Sequence, residues 1–489
     1  MLKRPVVAIT TMLFLAMCPA FNLTAQETAS ASPAQIDGLV AAGKFHEAEE
    51  LLKAQIADPN APIIDQPAAI QLEVLRRTRQ DFPLTNEQVL AELKQSIPNA
   101  TQKDVDRWRE SGDLQARTID GEPRYFTRAV SNLFRFNQEA RRRQVDSDAA
   151  KNKFNVPALL EKIVTLAESS GKPFVYPVKH HLNYEVAVKP GNPRVKPGAK
   201  VRAWLPFPQE YRHQRDVKLL GSSPEGGHIA SNGAPQRSIY FEQTIGDDVQ
   251  PPRFAIELEY VASAYCAQLD PAKVRPYDTS SDIYREFTAE RKPHIVFTPE
   301  VKRLAQEIVG DETNPLEKAR RIFRWISKNV PWCAEMEYSI IPSLSIKGLT
   351  ARRGDCGVQG TSFVTLCRAA GVPARWQSGW QTKPGESNMH DWSEIYIEPW
   401  GWLPADASNG VQKHVDPRVR DYFCGHIDPY RMIVNLDYGR EFDPPKSSFR
   451  SEPTDFQRGE IEIDGHNLYF DEWTWKFDVQ TTPLNDAAK

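Results

Sequence analysis

Cys356 stands in Arg353-Gly354-Asp355-Cys356-Gly357, immediately ahead of a helix-patterned run, and His390 and then Asp406 follow it along the chain. A thiol, an imidazole and a carboxylate in that order fit a nucleophilic triad. The thiolate would attack, the imidazole would take the thiol proton and return it to a leaving group, and the carboxylate would fix the imidazole tautomer. The chemistry is acyl transfer through a thioester. A lone cysteine before a helix is usually structural, and a histidine on a strand is usually a packed, satisfied residue. The catalytic reading rests on the combination and on the local patterns around each residue.

Those patterns say which elements must do the positioning. Gly354 loosens the turn before Cys356. From Gly357 to Ala370, the residues Val358, Phe363, Val364, Leu366, Cys367 and Ala370 form an apolar helical stripe. Gly371 and Pro373 then stop the helix. Cys356 therefore sits at a helix N-terminus, where unsatisfied N–H groups and the positive dipole end favour a thiolate. The run from His390 to Glu398 is rich in strand formers, with His390, Trp392, Glu394 and Tyr396 on one face at period two. Pro399-Trp400-Gly401-Trp402 turns the chain, and Leu403 to Asp406 returns as a second strand. A hairpin of this kind can bring Asp406 beside His390.

The three motifs are a Cys at a helix start, an H-x-W-x-E strand and a G-W-x-x-x-D strand. In this order they resemble the transglutaminase-like superfamily of papain-like thiol enzymes, over Pro315 to about Asn409. Carried over by position, the resemblance makes Cys356 the nucleophile, His390 the base and Asp406 the orienting acid. It implies an α+β core with the Cys helix packed on an antiparallel sheet. Gly357 follows the nucleophile where eukaryotic transglutaminases typically have Trp. In this it is similar to the bacterial and archaeal branch, which includes amidases and proteases. An oxyanion donor is also needed. The backbone N–H of Cys356 is one, and the indole of Trp332 is similar in position to the family's upstream aromatic donor. Gln359, one turn into the helix, is a further option. Glu394 is expected behind the triad or as a solvated strand carboxylate.

Composition bounds the rest. The 489 residues suffice for two to four domains, and a net charge of −3 gives no electrostatic case for nucleic acid. Lys3 and Arg4 precede a short apolar run from Val6 to Met17, which is too short to span a bilayer and reads as a secretory signal over 1–25. The mature protein is expected outside the cytoplasm: periplasmic, surface-located or secreted. Leu15-Ala16-Met17-Cys18 is similar to a bacterial lipoprotein box, which makes Cys18 a possible lipid anchor. Cys266, Cys333, Cys356, Cys367 and Cys424 then remain, an odd count that suits one reactive thiol and leaves four that could pair. No C-x-x-C spacing occurs, so a zinc site is not expected, and no metal or cofactor is assigned from the sequence.

The expected architecture is α+β and multidomain. Residues 26–152 are helical. Within them 33–58 form a helical hairpin similar to half of a tetratricopeptide repeat, and 84–140 read helix, helix, hairpin, helix in a winged-helix-like order. The exported setting and the acidic balance argue against DNA as its partner. Residues 176–270 alternate as a β-sandwich-like domain, 285–410 form the catalytic domain, and 411–489 are expected as a C-terminal extension packed on the core. In that extension, the loop with His426, Asp428, Tyr430 and Arg431 reads as structural. Three functions fit the sequence. The first is hydrolysis of peptide or protein amides, the second is transfer of a glutamine acyl group to an amine, and the third is a non-catalytic peptide- or glycan-binding module.

Overall fold

The computed structural model describes residues 32–56, 63–145 and 154–484. The signal segment 1–25 and Cys18 lie outside the described residues. Among the described residues, no helix is long and apolar enough to cross a membrane.

Three hydrophobic cores organise the chain. The first belongs to the N-terminal helices, with Phe45, Leu93, Trp108 and Leu133 at its centre. Thr85 and Thr101 each close a capping box, with Gln88 and Asp104 as partners, so the helices Asn86–Ser96 and Gln102–Glu110 start where the sequence places them. The hairpin Ala116–Ile119 with Glu122–Tyr125 turns at Asp120-Gly121, both at positive φ. The helix Ala129–Phe136 follows.

The second core lies between two antiparallel sheets. One sheet runs in the order Trp473–Pro483, Phe174–Val188, Arg253–Tyr265, Gln214–Ser223. The other runs His466–Leu468, Glu460–Ile463, Lys200–Pro206, Ser238–Thr244, His228–Ile229. The expectation of a self-contained 176–270 sandwich followed by an appended 411–489 extension therefore changes. Residues 460–483 pair with Lys200–Pro206 and Phe174–Val188 and complete both sheets. The physical reason is that without them those two strands would present unpaired edges. Glu460–Ile463 and His466–Leu468 are too short to show alternation, and although Trp473–Pro483 alternates over eleven residues, alternation does not say which sheet a strand joins.

The third core is the α+β unit that carries the site. Its sheet runs in the order Gly401–Ala405, Glu386–Ile397, Ala374–Lys383, Arg431–Asn435, all antiparallel. The last strand also comes from beyond residue 410. The helix Cys356–Ala369 is buried along nearly its whole length and packs on this sheet, with Ser393 Oγ donating to the Gly360 carbonyl at 3.3 Å. The helices Pro299–Val309 and Pro315–Asn329 pack beside it. Thr298 and Asn314 cap them, each followed by a proline at the first turn. None of Cys266, Cys333, Cys356, Cys367 and Cys424 is disulfide-bonded.

Candidate functional site

Cys356 begins its helix because Asp355 caps it, accepting from the Val358 N–H at 3.1 Å. The preceding turn is pinned by backbone bonds from Cys333 N to Gly354 O and from Gly354 N to Pro331 O, at 3.1 and 3.2 Å. Gly354 is required there, since a Cβ would stand 2.2 Å from Val358 Cγ1. His390 lies on the strand Glu386–Ile397, opposite Gly379 of the next strand. Asp406 directly follows the strand Gly401–Ala405 that forms the predicted hairpin with it.

The imidazole Nε2 of His390 is 2.8 Å from Asp406 Oδ2. That oxygen also accepts from Asn409 Nδ2 at 2.7 Å and pairs with the Arg431 guanidinium at 2.9 Å. The other oxygen, Oδ1, accepts from the Ser408 and Asn409 backbone N–H groups. Burial raises the Asp406 carboxyl, but His390 and Arg431 outweigh it and hold the carboxyl well below the usual range. Arg431 is itself buried and held by Asp428 at 2.9 Å. The 426–431 segment thus braces Asp406 through Arg431. His426 contacts the Ala267 and Tyr422 carbonyls instead.

Cys356, His390, Asp391, Tyr338, Trp332, Asn409 and Gln457 line one cavity of about 630 Å³. Two larger hollows, of about 920 and 900 Å³, lie against a sandwich sheet and around Cys266 and His426, and contain none of the three predicted triad residues. Within the cavity, Cys356 Sγ donates to Asp391 Oδ2 at 3.3 Å. Tyr338 Oη donates to the same oxygen at 3.2 Å and accepts the Gly357 N–H at 3.1 Å. Gln457 Nε2 donates to the other Asp391 oxygen at 2.8 Å and to the His390 carbonyl at 2.9 Å. Burial, then Asp391, then Asp355 push the Cys356 thiol well up. The thiolate expected from the helix terminus alone is therefore not favoured at rest: burial and two acidic neighbours outweigh the dipole and hold the proton on the thiol. Burial lowers His390, with Asp406 opposing, so the imidazole is neutral beside it.

The other predicted residues separate. Trp332 lines the cavity, with the Arg135 guanidinium 4.3 Å over its ring. Gln359 is buried behind the helix, where its amide nitrogen donates to the Val330 carbonyl at 2.7 Å; it does not line the cavity. Glu394 is fully buried and accepts from Arg375 Nε and Tyr211 Oη, each at 2.8 Å, which ties the site's sheet to the sandwich. Sequence reasoning missed Tyr338, Asp391, Asn409 and Gln457. A signal existed only for Asp391. Period-two alternation turns it, with Ser393, toward the face on which the Cys356 helix packs.

Residues 302–407 match the family model described as the transglutaminase-like superfamily. An uncharacterised protein of Haemophilus influenzae is 24% identical over 326 residues, covering 57% of this chain and 85% of that protein. Uncharacterised YebA of Bacillus subtilis is 26% identical over 129 residues, covering 22% of this chain and 17% of YebA. A provisionally assigned cysteine protease from Cytophaga hutchinsonii aligns over 64% of this chain and 92% of its own, with TM-score 0.42 and 16% identity. The periplasmic domain of TgpA from Pseudomonas aeruginosa aligns over 50% and 90%, with TM-score 0.24 and 14% identity.

Proposed function

The chain carries a domain of the transglutaminase-like superfamily, and from that premise we propose that it is an exported thiol amidase acting on peptide or protein amide bonds. The observation that carries the reading is the convergence of Cys356 and the His390–Asp406 pair on one cavity. Asp406 holds the proton on His390 Nε2, which leaves the Nδ1 lone pair to act as base. Because thiol and imidazole are both neutral at rest, the proton moves as the bond forms. Sγ attacks the amide carbonyl, His390 takes the thiol proton, and the charge develops on the carbonyl oxygen. The Cys356 backbone N–H and the Trp332 indole are the proposed donors to that oxygen. His390 then protonates the departing amine and a thioester remains. Water, deprotonated by His390, adds to the thioester. Thiolate leaves and takes the proton back, and the product is a carboxylic acid.

Export is inferred from the basic-then-apolar leader of residues 1–25. Amine transfer would follow the same first half, with an amine in place of water. Digestion of a proteome-derived peptide mixture by the protein and by its Cys356→Ala and His390→Ala variants separates the readings by mass spectrometry. New termini that appear only with the unsubstituted protein support hydrolysis. Incorporation of monodansylcadaverine would point to transfer. The absence of both, together with a Cys356 no more alkylable than the half-buried Cys266, would reduce the chain to a binding module.

A further inference from the structure

The cavity is lined by carboxyl groups that the protein leaves without a cationic partner. Asp455 is 7% exposed and lines the cavity. Among the described residues, no side chain donates a hydrogen bond to its carboxyl or pairs with it. The two nearby cations are engaged elsewhere: Arg458 binds Glu337 with Nη1 and Nη2, at 2.9 and 2.6 Å, and Glu452 with Nε at 2.5 Å, while Arg450 donates to Gln236 Oε1 at 2.6 Å, pairs with Glu460 at 3.5 Å and reaches only the backbone carbonyl of Asp455. Asp391 and Asp81 share the cavity. Asp81 Oδ2 accepts only a backbone N–H, from Glu337 at 2.8 Å. Arg128, on the N-terminal wall, is exposed and forms no ion pair with Asp455. Leaving a buried carboxylate unpaired is costly, and most proteins pair or replace it.

We propose that Asp455 anchors a subsite for an ammonium or guanidinium group, so that this cleft selects peptides or amides with a basic side chain next to the bond that is cut. The inference rests on the amidase reading of the same cleft and names its substrate class. The bound cation stays protonated and ion-paired, so it is a recognition element and not an attacking amine, which would have to be neutral. Burial, Glu452 and Asp391 push the empty Asp455 carboxyl well up, and an arriving cation restores its ionised form. The cation also offsets the carboxylates that hold the Cys356 proton in place, coupling occupancy to attack.

The test is calorimetric titration of the full chain with Nα-acetyl-lysine amide, Nα-acetyl-arginine amide and the neutral Nα-acetyl-norleucine amide. The basic ligands should bind at least about tenfold tighter than norleucine amide. Titration in buffers of different ionisation enthalpy should show proton release on binding. Asp455→Asn should abolish both the preference and the proton release while raising thermal stability, because it removes a carboxyl that without ligand must either take up a proton or stay buried unpaired. Equal binding of all three ligands, or a preference that survives Asp455→Asn, would overturn the subsite. Should that variant fail to fold, the ligand preference and proton release of the unsubstituted protein decide the matter. Iodoacetamide labelling of Cys356, run in parallel, keeps the two ideas apart. An inert Cys356 with an intact lysine preference would sink the amidase reading and leave the cation site standing.

Discussion

Burial and Asp391 together keep the proton on Cys356 at rest. A cysteine at a capped helix start would ordinarily ionise easily, but here its Sγ donates to a buried carboxylate that Tyr338 and Gln457 also hold. Asp391 and the thiol cannot both ionise readily at this distance, and Asp391→Asn removes the competing acid and turns an amide donor toward the sulfur. The midpoint of Cys356 alkylation against pH should therefore fall by about one unit or more, read by peptide mass spectrometry with iodoacetamide. An unchanged midpoint would mean that Asp391 does not govern the thiol. His390→Ala should act differently, slowing labelling near neutrality because the base is gone. At this scale the sequence was informative about type and order: Cys356, His390 and Asp406 could be picked out because helix start, strand and hairpin each have a period. Tyr338, Asn409 and Gln457 sit in a short 3-10 turn and in loops, where no period exists. Their roles come from where distant segments meet.

Two glycines show how the elements hold these residues in place. Gly357, where a bulky aromatic follows the nucleophile in other branches of the resemblance, is required by Tyr338: a Cβ there would stand 2.1 Å from Tyr338 Oη. Gly379 faces His390 across the sheet, and a Cβ there would stand 1.9 Å from the Met432 carbonyl oxygen, which is backbone and cannot swing aside. Gly379→Ala should therefore push the strand Arg431–Asn435 outward. The cost is about 3 kcal/mol, visible as a lower Tm, and the Arg431 clamp on Asp406 loosens with it. A Tm within error of the unsubstituted protein would show that the two strands are not in forced contact. The hairpin of His390 and Asp406 was legible from alternation and a Pro-Trp-Gly turn. The strand Arg431–Asn435 was not, because all five of its residues are buried. A strand covered on both faces shows no alternation to read.

At the scale of the molecule, the N-terminal helices are part of the cleft rather than a detachable preface. Asn132 receives the Ala334 N–H and donates to the Ala334 carbonyl, both at 2.9 Å, and so fixes the loop that carries Trp332 and Tyr338. Asn132→Ala should speed hydrogen exchange across residues 332–340 without speeding it in the helix Cys356–Ala369. Uniform protection would separate the N-terminal unit from the site.

The buried charges give the whole fold a pH dependence of definite sign. Asp81, through burial and Glu337, and Asp355, through burial and Glu335, are each pushed up to about 7, and burial with neighbouring acids also pushes Asp391 and Asp455 well up. A carboxyl raised in the folded state binds more protons there than in the unfolded chain, so stability falls as pH rises toward its folded pKa. Buried histidines act oppositely. Burial takes His213 and His294 down to about 4, so they add stability only as pH rises from there to about 6.5, where unfolded histidine titrates. Lys446, lowered to about 8 by burial, begins to add stability only above that value. Between about pH 6.5 and about pH 8 the carboxyls act with little opposition, and Tm should fall across that window. Asp455→Asn should flatten the decline, since it deletes one of the groups that must lose a proton. A Tm that instead rises from pH 6.5 to 8 would mean that the acidic wall is already balanced within the folded chain, and the case for a cation brought by substrate would lose its footing.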